Sequence, residues 1–224
     1  MQGMPIRAIL FDVYGTLLDV HSAIAREGKE LGARADAISR LWRQKQLEYT
    51  WVWSLRGEYR SFQTLTESAL DYALAAHDVD SSPLKARLLL AYRRLDAFPD
   101  VAAALAALRQ RGLRLAALSN GDADMLEAGL QSAGLRDALD AVLSVAPLRI
   151  YKPDRQVYEL GRTWANAPAR QIAFVSANAW DAGGAAAFGL RTFWINRAGQ
   201  PPEYEVPRHA TVVSNLGDIA AHLA

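Results

Sequence analysis

The stretch Ile9-Leu10-Phe11-Asp12-Val13-Tyr14-Gly15-Thr16 decides how this chain is read. Its apolar half, extended back to Ile6, reads as a buried strand. A carboxylate follows, and then a Gly turn. A carboxylate where a buried strand meets a turn is aimed out of the sheet, at the edge where open α/β sheets gather ligands and reactive groups. The position two residues on is Tyr14, not a second carboxylate. Asp12 therefore reads as a nucleophile without the acid/base partner that phosphoryl chemistry needs.

Working outward, Leu113 to Leu118, Ala141 to Val145, Ile172 to Val175 and Thr192 to Ile195 repeat the strand pattern. Helical stretches alternate with them. Val101 to Arg111 stops at Gly112, Ala123 to Ala133 at Gly134, and Ala182 to Phe188 at Gly189. Arg155 to Ala165 follows Pro153-Asp154. Gly just past a helix supplies the left-handed cap. Strands alternating with helices of this length predict an α/β fold with a doubly wound parallel sheet. The segment from His21 to Phe98 breaks the alternation. It carries helix-like patterns at Ile38 to Trp53, Phe62 to Ala76 and Pro83 to Arg94, and no convincing strand. We expect a core domain of residues 1–20 and 99–224, with a smaller helical cap domain of residues 21–98 inserted after the first strand. Such a lid excludes water and supplies walls to a site. Asn215 to Ala224 reads as a closing helix.

The bulk properties remove whole classes of function. A chain of 224 residues with 51% apolar residues buries a substantial core. A formal charge of +1 favours neither nucleic acid nor an anionic membrane as partner. The absence of cysteine excludes disulfides, thiolate metal sites and a Cys nucleophile, and fits a cytoplasmic protein. Met1-Gln2-Gly3-Met4-Pro5 leads into a strand without the features of a signal peptide. No window approaches the roughly 18 apolar residues of a membrane span.

Polar groups recur at the strand ends. Asp12 and Thr16 follow the first, Ser119 and Asn120 the second, Lys152 the third after a loop, and Ser176, Asn178 and Asp181 the fourth. Taken singly each has a plainer reading. Thr16 or Asp181 could cap a helix, Ser119 could bond turn amides, and Lys152 could be a solvated loop residue. Four strand ends delivering such groups together outweigh those readings.

Phe11 to Leu17, Leu118-Ser119-Asn120-Gly121, Tyr151-Lys152-Pro153 with Val157-Tyr158, and Val175 to Asp181 resemble the successive motifs of the haloacid dehalogenase superfamily. With Tyr14, and with Arg43 in Trp42 to Tyr49, the chain is most similar to the L-2-haloacid dehalogenases within it. The resemblance implies a Rossmann-like core with a helical cap, and hydrolysis of (S)-2-haloacids to (R)-2-hydroxyacids. It gives Asp12 the role of nucleophile, forming an aspartyl ester with inversion at C2. It assigns Asp181, with Lys152, Ser176 and Asn178, to ordering the nucleophile and the water. Lys152 also sets an opposite charge near Asp12, which favours the carboxylate. Thr16, Ser119 and Tyr158 complete the implied catalytic set. Arg43 would receive the halide, with Asn120 and Trp180 finishing its cradle. Leu47, Phe62 and Trp180 would wall the alkyl group, Phe62 and Leu47 being equally readable as inter-helix core. Ser119 and backbone N–H groups around Val13, Tyr14 and Asn120 would bind the carboxylate. A homodimer and the absence of any cofactor are implied as well.

The residues support the halide branch over the phosphatases. The superfamily's phosphatases carry an Asp where this chain has Tyr14 and another where it has Ser176. Mg²⁺ wants several carboxylate or water oxygens, so no metal is expected. A halide leaves without protonation but needs positive or polar partners as its charge develops. The competing readings are a Mg-dependent phosphatase, marked by EDTA-sensitive activity on p-nitrophenyl phosphate, and a non-catalytic relative that binds a small carboxylate. Two departures from the pattern are Ala177, where close relatives often have Ser, and the apolar run Val145-Ala146-Pro147-Leu148 before the lysine.

Overall fold

The computed structural model describes residues 5–223. The described residues form eight strands: β1 (Ala8–Phe11), β2 (Leu18–Asp19), β3 (Asp96–Ala97), β4 (Arg114–Ser119), β5 (Ala141–Ser144), β6 (Ile172–Ser176), β7 (Arg191–Ile195) and β8 (Thr211–Val213). The helices are α1 (Ser22–Glu27), α2 (Ala35–Leu55), α3 (Phe62–Ala75), α4 (Ser82–Tyr92), α5 (Val101–Gln110), α6 (Ala123–Ser132), α7 (Arg155–Ala165), α8 (Ala179–Phe188) and α9 (Val206–His209).

Six strands make one sheet in the order β5-β4-β1-β6-β7-β8. Every pairing in it is parallel. β1 is central, and all four of its residues are fully buried, as a strand covered on both faces requires. The strand order turns at β1: the chain moves outward through β4 and β5 on one side, then through β6, β7 and β8 on the other. That reversal is the topological switch point, where ligands bind beyond the carboxyl ends of the strands. Asp12 stands there, its backbone N–H donating to Val175 O at 2.9 Å and so continuing the β1–β6 ladder.

The caps follow local chemistry. Ser61, Ser81 and Asp154 accept hydrogen bonds from the amides of Thr64, Leu84 and Gln156 and so start α3, α4 and α7. Gly189 ends α8 at a φ of +105°, a backbone that L side chains rarely adopt.

Helices α1 to α4 follow β2 and precede β3. Leu18 pairs with Ala97 and Asp19 with Asp96, antiparallel, so a two-stranded ribbon clasps the chain where it enters and leaves this helical segment. The expectation that residues 21–98 hold no strand is corrected by β3. A two-residue strand has no period-2 pattern to read. The expected helix over Asn215 to Ala224 is a 3₁₀ stretch from Leu216 to His222, opened by a capping box between Asn215 and Asp218. The edge strand β8 and the short helices α1 and α9 had no counterpart in the sequence reading. The readings placed on Met1 to Met4 and on Ala224 lie outside the described residues.

Candidate active site

Asp12 is 5% exposed, and its two oxygens are treated unequally. Oδ2 accepts hydrogen bonds from Thr16 Oγ1 at 2.8 Å, Asn178 Nδ2 at 2.7 Å and Ser176 Oγ at 3.3 Å. Oδ1 accepts from Lys152 Nζ at 3.0 Å. Three donors thus saturate one oxygen, while the other keeps a lone pair beside a cation.

The turn that makes this possible closes on Val13. Its carbonyl accepts from the amides of Thr16, Leu17 and Leu18. Gly15 takes a φ of +90°, which is why the motif has Gly there. Thr16 does not cap a helix. Its hydroxyl accepts from Ala177 N at 2.8 Å, which directs its own proton to Asp12. That bond uses the backbone of Ala177, so the Ser-to-Ala departure leaves it intact.

Lys152 is 1% exposed and donates also to Asp181 Oδ2 at 2.8 Å. The solvated-lysine reading is thereby excluded. Asp181 is fully buried, and Tyr158 Oη donates to its Oδ1 at 2.8 Å. Asp181 is not an N-cap: α8 begins two residues earlier, with Asn178 at the cap position. Burial pushes the Asp181 carboxyl up to about 6; the Lys152 charge opposes that rise and Asp12 adds to it. For Lys152 burial works downward, but the two carboxylates outweigh it and hold the ammonium above the usual lysine range. Lys152 is therefore the fixed charge beside Asp181, whose carboxyl is raised toward neutral pH.

From the helical segment, Arg43 Nη2 donates to Tyr14 O at 2.9 Å. Asn178 Nδ2 reaches the same carbonyl at 3.2 Å while it also holds Asp12. Arg43 thus stands one shared carbonyl away from the Asp12 cluster, in the same site. Its Nη1 donates to Gln46 Oε1 at 2.8 Å. Gln46 is fully buried, donates to Thr66 Oγ1 at 2.6 Å and accepts from Tyr92 Oη at 3.0 Å. Sequence reasoning passed over Gln46 and Tyr92. The signal for Gln46 was its place three residues after Arg43, on the same helix face.

The remaining candidates divide. Asn120 Oδ1 accepts from Lys152 N at 3.0 Å, so its carboxamide fixes the lysine loop. Ser119 Oγ accepts from Gly121 N at 3.2 Å, the turn contact that was its plainer reading. Tyr14 is buried, with its ring between Phe62 and Tyr92 at centroid distances of 5.2 and 5.6 Å. Burial drives its phenol well above the ordinary value, so it is no substitute for a carboxyl acid. Phe62 is 1% exposed and belongs to the buried core as much as to any wall. Leu47 is half-buried on α2, one turn after Arg43. Trp180 meets Trp51 edge-on at 5.4 Å.

These residues do not fit a magnesium ion. The Lys152 ammonium already lies between the Asp12 and Asp181 carboxylates. The third strand-end oxygen is the Ser176 hydroxyl. Among the described residues, no three His, Cys, Asp or Glu side chains converge as a metal site. A hard dication needs more anionic oxygen than this and no ammonium among it.

Two further ties join the helical segment to the sheet. Asp122 accepts from the amides of Phe62 and Gln63 at the start of α3, at 3.3 and 2.8 Å. Tyr151 Oη donates to Arg60 O at 2.6 Å.

Fold and cluster together define an α/β protein with an aspartate-centred site at the switch point of a parallel sheet. Residues 6–189 match the haloacid dehalogenase-like hydrolase family. The chain is 46% identical over 220 residues to (S)-2-haloacid dehalogenase 4A of Burkholderia cepacia, covering 98% of this chain and 95% of that one. A crystal structure of a dehalogenase with an intermediate complex matches at a TM-score of 0.95 and 45% identity, covering 98% of both chains. The L-2-haloacid dehalogenase of Xanthobacter autotrophicus with chloropropionic acid covalently bound matches at 0.89 and 34% identity, over 96% of this chain and 97% of that one. The chain belongs to the haloacid dehalogenase-like hydrolase family, among its (S)-2-haloacid dehalogenases.

Proposed function

We propose that this enzyme hydrolyses short (S)-2-haloacids to (R)-2-hydroxyacids and halide, through an ester on Asp12 and without a metal. The observation that carries the reading is the unequal treatment of the two Asp12 oxygens beneath Arg43. Oδ1 attacks C2 from the side opposite the halogen. The C–O bond forms as the carbon–halogen bond breaks, and the halide departs with the electron pair toward Arg43. C2 is displaced once, so its configuration inverts.

Oδ2 is then the ester carbonyl oxygen. Water adds at the Asp12 carboxyl carbon and gives a proton to Asp181. The charge that develops on Oδ2 falls on Thr16, Asn178 and Ser176, donors already in place. Preoriented donors of this kind lower the barrier without reorganising at the moment of reaction. Collapse expels the alkoxide, which recovers a proton from Asp181. The hydroxyacid leaves, Asp12 is restored with one oxygen from water, and one proton goes to solvent. Asp181, raised to about 6, is suited to this exchange near neutral pH. Tyr158 and Lys152 hold its two oxygens and set its orientation.

We read residues 1–20 and 99–224 as the core domain and 21–98 as its cap. The β2–β3 ribbon at the base of the insertion supports that division.

The test is a single turnover in H₂¹⁸O with enzyme in excess over (S)-2-chloropropionate. The ester route puts the label in Asp12, found in the peptide that contains it, and leaves the hydroxyacid unlabelled. Label in the hydroxyacid would mean that water attacks C2 directly.

A further inference from the structure

The carbonyl of Thr16 is met not by an amide but by a guanidinium. Thr16 is fully buried, and its O accepts from Arg197 Nη2 at 3.1 Å. Arg197 stands just past β7, and no step above uses it. The same Nη2 lies 3.0 Å from each oxygen of Asp100, and the guanidinium covers the Phe98 ring at 4.2 Å. Nε and Nη1 are buried with no hydrogen-bond partner among the described residues. An Arg placed only to pair with a carboxylate turns its fork so that two nitrogens meet two oxygens. Here one nitrogen serves three oxygens while the other two go without. That orientation keeps Nη2 on Thr16 O.

Asp100 supports the placement. It precedes α5 yet makes no side-chain cap there. Its oxygens go to Arg197 and to Leu216 N, the latter at 2.7 Å. Phe98 N donates to Leu17 O at 3.1 Å, beside Thr16 in the turn. The turn after β1, the chain leaving β3 and the loop after β7 therefore meet at one side chain.

Thr16 gives that meeting point a chemical consequence. Its hydroxyl donates to Asp12 Oδ2 at 2.8 Å. The χ1 of a β-branched residue is stiff, so the hydroxyl follows the backbone, and Arg197 holds the peptide that carries it. We propose, resting on the ester reading of Asp12, that Arg197 is a positioning residue for the second half-reaction. It keeps the Thr16 hydroxyl where charge develops on Oδ2 as water adds to the ester. The two steps use that hydroxyl differently. In the first, Asp12 gives up its charge, so a donor on Oδ2 favours the carboxylate before attack more than the transition state. In the second, charge returns to Oδ2 and the same donor lowers the barrier. Misplacing the hydroxyl therefore slows ester hydrolysis and spares ester formation.

The experiment quenches single turnovers of (S)-2-chloropropionate, with enzyme in excess, in acid at successive times. Halide and the mass of the Asp12 peptide are read from each sample. In Arg197→Met, halide release should stay within about twofold of the unaltered enzyme while the ester decays about tenfold more slowly. Ester then accumulates on Asp12. In a Thr16→Ala background the same substitution should change ester decay by less than about twofold, because the hydroxyl it acts through is gone. Asp100→Asn weakens the ion pair but keeps an acceptor for Nη2, and should leave both rates as they were. If Arg197→Met does not fold, Arg197→Lys carries the comparison. One ammonium serves the carboxylate or the carbonyl in full but not both, and ester decay about threefold slower is expected. An equal fall in both steps overturns the proposal, as does a full effect of Arg197→Met without the Thr16 hydroxyl; either result leaves Arg197 a structural ion pair and the ester reading intact. No halide, or halide with no ester on Asp12 in any variant, sinks the reading of Asp12 and the inference with it.

Discussion

The floor of the site and its roof hold their cations in opposite ways. On the floor, Lys152 is flanked by Asp12 and Asp181, and its charge is spent on them. On the roof, Arg43 is held by two neutral oxygens, Tyr14 O and Gln46 Oε1, and among the described residues it forms no ion pair. Two carboxylates and one ammonium leave the floor with a net negative charge when all are ionised. The roof keeps an uncompensated positive charge above it. An anion entering the site is therefore drawn to the roof, and a group held between the two layers faces a carboxylate below and a guanidinium above. The floor is preorganised by pairing. The roof is preorganised without pairing, so its charge stays available.

The largest effect should come from removing the floor's cation. Lys152→Met shortens the side chain by one atom, keeps its apolar stem and leaves two carboxylates buried without their partner. Breaking a buried pair in this way costs about 3–5 kcal/mol. For a chain of this size that is a fall in Tm of roughly 6–20 °C, read by calorimetry. The loss should be smaller at pH 5 than at pH 8, because protonation of Asp181 relieves the repulsion. An equal loss at both would mean that Lys152 stabilises by packing alone.

Arg43→Ala tests the roof, and here stability and activity should separate. Its partners are neutral, so no charge is stranded. A preorganised donor to a developing anion is worth about 10²–10³ in kcat, and a loss of that size is expected with little change in Tm. Arg43→Lys should not restore the rate, since one ammonium cannot reproduce the fixed fork that spans Tyr14 O and Gln46 Oε1. If Arg43→Ala unfolds the protein instead, the contrast between the two layers fails.

The floor was legible in the sequence and the roof was less so, for a physical reason. Apart from Lys152, each floor group sits at the end of a buried strand or within five residues after it, and the topology brings all such ends to one edge. Asp12, Thr16, Ser176, Asn178 and Asp181 needed only the strand pattern and the parallel order. Lys152 needed the resemblance, because a lysine before a proline is ordinarily solvated. Roof contacts depend on how a helical segment is rotated over the sheet, and no local pattern fixes that angle. Gln46 and Tyr92, on two different helices, meet through a hydrogen bond that no spacing foretells. Phe62 shows the same limit from the other side, since a half-turn of α3 decides between wall and core. Short edge elements escaped for want of length: β8 has three residues and β3 two.

The smallest effect is also the one whose sign best separates chemistry from folding. Asp181 is raised from the ordinary carboxylate range to about 6, chiefly by burial, with Lys152 opposing and Asp12 adding. Tyr158 and Lys152 face its two oxygens, and both stay protonated across this range. As pH falls through 6 the carboxylate gains a proton and can no longer take one from water. The rate of ester hydrolysis should therefore drop about fivefold between pH 6 and pH 5. Stability linkage runs the other way. Between the unfolded and folded values the native state binds the extra proton, so this group's contribution to stability is present below the lower value and is lost as pH rises through 6. Acidification to pH 5 should thus slow turnover without a matching fall in Tm from this residue. Asp181→Asn should run more slowly at pH 8 and lack the acid limb. Single-turnover rates from pH 5 to 8 would show it, and a limb that persists in the Asn variant would assign the titration to another group.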